Sequence, residues 1–101
     1  MTTTPEIATK ELQNRPADER PRAREGLSTE LVDGEAIVQD AGRGQVTYLN
    51  ASAAVVWQLC DGQRTEAEIV ALLAAAMPEA TGIAADVAEA IAGFRRAGLL
   101  D

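Results

Sequence analysis

Polar and apolar positions alternate along the stretch that follows residue 26. Leu27, Thr29 and Leu31 fall to one side, Ser28 and Glu30 to the other, the period of two expected of a strand with one buried face. Asp33-Gly34 then interrupts the run, and this dipeptide is a strong signal for a two-residue hairpin turn. Leu27–Val32 and Glu35–Asp40 are therefore predicted as paired strands. A second turn over residues 41–44 carries two glycines, which supply any positive φ the turn needs. It leads into a third strand, Gln45–Leu49. A glycine-rich loop can cradle phosphate, but this one runs into a strand and lacks a lysine, so it does not suit that role.

From Leu49 onward the period changes. Leu49, Ala53, Val56, Trp57 and Cys60 recur at i, i+4, i+7, i+8 and i+11, the spacing of one helix face. Asn50 is a suitable N-cap, and Asp61-Gly62 is expected to end the helix, with Gly62 left-handed. Thr65 with Glu68 three residues later has the form of a capping box. A second helix over residues 65–76 turns Ile69, Leu72, Leu73 and Ala76 to one face, and Pro78 stops it. A third, over residues 83–97, turns Ile83, Val87, Ile91 and Phe94 inward. Gly98 terminates it, and Leu99-Leu100 return to the core. The core is expected to centre on Leu49, Trp57, Ile69, Leu72, Val87, Ile91, Phe94 and Leu99. The rest of the third helix is poor in bulk, with Ala84, Ala85, Ala88, Ala92 and Gly93. Gly93 inside a helix costs roughly 1 kcal/mol relative to Ala, and one use for it is close approach of another backbone.

The elements predict an α+β fold, winged-helix-like, with a three-stranded antiparallel sheet followed by three helices. At 101 residues the chain holds one small domain. Residues 27–101 form that domain in this reading. Residues 1–26 contain three prolines and few large apolar residues, and are expected to be a disordered polar tail. Within them residues 7–14 have helical spacing but no partner to pack on.

Charge narrows the function. Residues 27–101 carry four arginines against eleven carboxylates, a net of −7, and no lysine. Such a surface repels phosphate backbones and anionic lipid. The chain has no histidine and one cysteine, which leaves no donor set for zinc or an iron–sulfur cluster and no Cys/His nucleophile pair. Cys60 reads as a small core residue. A lone cysteine fits a reducing cytoplasm, and no apolar run reaches the ~18 residues of a membrane span. The expectation is a cytoplasmic protein without cofactors and without a membrane or nucleic-acid partner.

The ordered set Leu49-Asn50-x-x-Ala53, Leu59-Cys60-Asp61-Gly62-x-Arg64-Thr65, Glu68-Ile69, Gly82-Ile83-x-x-Asp86-Val87 and Gly98-Leu99-Leu100 resembles the PqqD family of precursor-peptide recognition elements. The resemblance spans about residues 26–100. It implies a peptide chaperone without catalysis of its own. Such a domain binds the leader segment of a ribosomally synthesised precursor peptide and presents it to a modifying enzyme, often a radical S-adenosylmethionine enzyme. The pyrroloquinoline quinone (PQQ) branch is one member group; Cys60-Asp61-Gly62 is similar to it, whereas Trp57 and the turn over residues 40–44 depart from it. The resemblance thus implies the broad family and leaves PQQ biosynthesis open.

In the family the peptide adds as a strand to the sheet edge beside the third helix. That places the expected peptide-binding residues at Gln45, Val46, Thr47, Tyr48 and Leu49 on the edge. Val87, Ala88, Ile91 and Arg95 are expected along the helix. Main-chain hydrogen bonds to an open edge give affinity, and adjacent pockets give specificity. Two other classes compete. A winged-helix DNA-binding regulator would share the architecture, but the acidic domain and a third helix without a basic face oppose it. An enzyme would find no His or Lys in residues 27–101 to serve as base; Asp61 and Glu68 could form a carboxylate pair only in principle and read as capping groups.

Overall fold

The structure, a computed structural model, describes residues 19–101. Strands β1 (Leu27–Val32), β2 (Glu35–Asp40) and β3 (Gln45–Leu49) are followed by helices α1 (Ala51–Leu59), α2 (Glu66–Ala76) and α3 (Ile83–Arg96). The sheet is antiparallel in the order β1-β2-β3. All three strands have the predicted bounds.

The turns and caps explain why the elements begin and end there. Asp33 and Gly34 both take positive φ, 53° and 82°, as a type I′ turn requires, and Val32 faces Glu35 across it. Asn50 caps α1 by accepting from the Ala53 N–H. Thr65 and Glu68 form the reciprocal capping box of α2. A side-chain N-cap of this kind stabilises by about 0.5–2 kcal/mol. Gly62 is left-handed (φ 79°), but it lies beyond the cap of α1, which is Cys60. Its missing side chain leaves room for Arg22, whose Cδ lies 3.1 Å from where a Cβ would stand.

The helices cover one face of the sheet. Ala36, Val38 and Asp40 alternate inward on β2. Trp57 on α1 meets Phe94 on α3 edge to face, with ring centroids 5.1 Å apart, and its indole N–H donates to Thr29 Oγ1 at 2.9 Å. Ile69, Val87, Ile91 and Leu99 are fully enclosed. One expected core residue is outside: Leu72 is 45% exposed, while Leu73 is buried. The buried face of α2 centres between Ile69 and Leu73, about 80° around the helix from Leu72.

Residues 19–26, expected to belong to the tail, are part of the fold. Ala23 N–H donates to the Cys60 carbonyl, Arg24 N–H to Leu99, Gly62 N–H to Pro21 and Asp101 N–H to Arg22. Arg22 bridges to Asp61 and Ala23 to Leu100. Arg24 also pairs with the buried carboxylate of Asp40 and donates to the Gly98 carbonyl. The segment thus fastens the end of α1 to the C-terminus by main-chain bonds, which composition does not reveal. The remainder of the expected tail, with the helical spacing of residues 7–14, lies outside the described residues.

Candidate functional site

Each sheet edge has a helix near it: α1 meets β1 through Trp57 and Thr29, and α3 meets β3. Gln45 Nε2 donates to the Ala97 carbonyl at 3.2 Å, so the start of β3 lies at the C-terminal end of α3. Residues 50–53, which continue β3 into α1, share a groove with Ile83, Asp86, Val87, Glu89 and Ala90. The end of β3 therefore lies near the first half of α3, and the helix runs antiparallel alongside the strand. The groove has a volume of about 730 Å3 and is closed at the back by Val56, Leu73 and Met77.

The backbone of β3 can be assigned group by group. A two-residue hairpin is closed by a pair that exchanges both main-chain bonds, here Val32 and Glu35. Glu35 therefore faces β1, and alternation turns Ala36, Val38 and Asp40 toward β3. Their partners are Leu49, Thr47 and Gln45. The N–H and C=O groups of Val46 and Tyr48 are left facing the open edge. Their side chains stand on the solvent face, 49% and 76% exposed. β3 contains neither charge nor proline, the usual devices that block an edge.

The expected site residues divide. Gln45 and Thr47 are half-buried and point to the helix side; Leu49 is core. Val87 and Ile91 are core as well, 1% and 0% exposed, so Val87 only floors the groove and Ile91 offers a ligand nothing. Ala88 and Arg95 share one flank of α3 by the ~100° step per residue, and Arg95 is taken by Glu19 at 3.2 Å. From α3 the groove is lined by Ile83, Asp86, Val87, Glu89 and Ala90, and Gly93 and Ala97 continue the Asp86–Ala90 flank of the helix. The small residue that lines the groove is Ala90 in place of Ala88.

Electrostatics at the two ends of the strand differ. At the β3 start, the Arg24 side-chain hydrogen bond holds the Asp40 carboxyl below the usual carboxylate range, against the opposing effect of burial. Arg43 lies beside the same carboxylate, 3.9 Å away. At the far end the groove lining includes Asp86 and Glu89 and no cation. Cys60 takes no part, since burial pushes its thiol up to about 11 and keeps it neutral and unreactive. Asp61 and Glu68 serve turns and caps, as expected, and the Gln63 and Thr65 backbone N–H groups hold their carboxyls low.

An antiparallel sheet ahead of three helices, with an open edge strand beside the last helix, defines a winged-helix-like α+β domain suited to adding a peptide strand. A family model described as Coenzyme PQQ synthesis protein D (PqqD) matches residues 35–100, and the chain belongs to that family. Two solved structures share the fold. One is TbiB1 in complex with the TbiA(beta) leader peptide, at 17% identity and a TM-score of 0.68, covering 79% of this chain and 94% of that one. The other is lasso peptide synthetase B1 complexed with the leader peptide, at 20% identity and 0.67, covering 81% and 98%. A search of the curated proteins finds no match. The DNA-binding alternative gains no support: α3 carries Asp86 and Glu89 as well as its two arginines, and Arg95 is already paired. No helix among the described residues is long and apolar enough to cross a membrane.

Proposed function

We propose that the protein binds the leader segment of a ribosomally synthesised precursor peptide as a fourth strand on β3. It then presents the peptide to a modifying enzyme. The observation that carries this reading is the unblocked edge of β3 beside α3, with the main-chain groups of Val46 and Tyr48 directed outward. Family membership supports it, as do two fold neighbours whose structures hold leader peptides. An added strand would gain main-chain bonds along the edge. Its alternate side chains would enter the groove floored by Val87 and Ala90, or lie across Val46 and Tyr48 on the outer face.

The domain acts as an adaptor in this account, not as a catalyst, and works in the cytoplasm. The enzyme that receives the peptide is a radical S-adenosylmethionine enzyme in the reading the family implies, with PQQ biosynthesis one such pathway. Proline substitution tests the site. Val46→Pro removes an outward N–H and should weaken binding of a cognate leader peptide at least tenfold while leaving the fold intact. Thr47→Pro removes an N–H directed at β2 and should unfold the sheet. Undiminished leader binding by a folded Val46→Pro variant would rule out strand addition at β3.

A further inference from the structure

The groove has a charge order, and the order has a consequence for which strand can occupy it. At the end where β3 begins, Arg43 and Arg96 are exposed. Arg96 lies back along the helix, with Nη2 3.7 Å from where a Gly93 Cβ would stand. Its guanidinium therefore covers the flank of α3 that faces the groove. Arg43 lies over Gly98, whose carbonyl its Nη1 reaches at 3.5 Å. The one buried carboxylate here, Asp40, is matched by Arg24, which leaves the two exposed arginines as surplus positive charge. At the other end the surplus is negative, from Asp86 and Glu89. Between them the flank is small and uncharged at Ala90.

Resting on the strand-addition reading, we propose that this groove selects its peptide by charge order. The occupant carries a basic residue toward its N-terminus beside Asp86 and Glu89, an apolar residue over Ala90, and an acidic residue beside Arg96 and Arg43. The direction follows from two facts. β3 runs from the basic end to the acidic end, and antiparallel pairing is the more stable arrangement, so the peptide begins at the acidic end. The spacing follows from helix and strand geometry. Arg96 lies over Gly93 and Arg43 over Gly98, four to twelve residues beyond Asp86 and Glu89, about 6 to 18 Å at 1.5 Å per residue. A strand covers that in about two to five residues at ~3.3 Å each. Complementary charge of this kind acts on specificity and register more than on raw affinity, and the reversed order would set like charges together at both ends.

Selection from an mRNA-displayed library of random twelve-residue peptides, made against the full chain, tests this. The parent should enrich Lys or Arg followed two to five positions later by Asp or Glu, several-fold over the reverse order. The variant with Asp86→Lys, Glu89→Lys, Arg43→Glu and Arg96→Glu should invert that order. If it does not fold, Glu89→Lys alone should abolish the N-terminal basic preference and leave the C-terminal acidic one unchanged. Enrichment with no charge order, or with the same order in parent and exchanged variants, overturns the proposal while strand addition stands. A folded Val46→Pro variant serves as the control. If it enriches the same peptides as the parent, the strand reading itself falls, and a parent that enriches nothing overturns both.

Discussion

Trp57→Ala should be the most damaging single truncation in the molecule, and its cost can be worked from the contacts. The indole is 5% exposed, packs edge to face on Phe94 at an interplanar angle of 74° and donates to Thr29. Truncating a buried aromatic to alanine costs about 3–5 kcal/mol, against a total stability of about 5–15 kcal/mol for a small domain. At about 4–8 °C per kcal/mol for a domain of this size, the midpoint should fall by tens of degrees. Trp57 is the single tryptophan, so the variant loses its fluorescence and unfolding must be followed by far-ultraviolet circular dichroism in urea. Trp57→Phe keeps a ring against Phe94 and loses the N–H bond, so about 1–2 kcal/mol is expected. A double-mutant cycle with Thr29→Val should return about 0.5–1.5 kcal/mol for the bond itself. A cost below about 1 kcal/mol for Trp57→Ala would refute the placement of the ring in the core. A Phe variant as unstable as the Ala variant would show that packing is not the larger part.

Three other outcomes follow from the same structure. Asp40 titrates below its ordinary range in the folded state, so its contribution is present at neutral pH, above the unfolded pKa of about 3.9, and is lost as pH falls through the folded value. Urea midpoints should therefore drop toward acid, and Arg24→Met should lower the neutral midpoint and flatten the acid limb, leaving the part owed to Asp61 and Glu68. Gly98→Ala should destabilise by about 1–2 kcal/mol because φ is 74° and a left-handed conformation is strained for L-residues, whereas Gly93→Ala, helical with ordinary space around a Cβ, should stabilise by about 0.5–1 kcal/mol; thermal melts separate the two. Fluorescein-labelled duplex DNA should show no salt-sensitive anisotropy change at physiological ionic strength, since the domain is acidic.

Local chemistry made much of this fold legible. Asp33-Gly34, Asn50 and the Thr65–Glu68 pair each specify a turn or cap through bonds made within a few residues, and each element begins where those residues place it. Leu72 was misjudged because α2 is rich in alanine, and nothing local decides whether Leu72 or Leu73 meets α3. The same ambiguity put Ala88 in place of Ala90 on the groove flank of α3. Asp40 carried a readable signal, since it continues the inward alternation of Ala36 and Val38 and a buried carboxylate needs a cation. Its partner, Arg24, sits in a segment whose mixed charge and prolines resembled a solvated tail. That segment is held by main-chain bonds to Cys60 and Leu99, and these leave no trace in composition.

The account turns on which backbone groups of β3 are open. Amide hydrogen exchange, measured residue by residue with and without a cognate leader peptide, addresses this directly. In the free protein Thr47 should already be protected by β2, while Val46 and Tyr48 exchange freely. With the leader bound, Val46 and Tyr48 should gain protection together, and Thr47 should change little. Protection gained along β1 or α1 instead, with Val46 and Tyr48 still open, would contradict strand addition at β3.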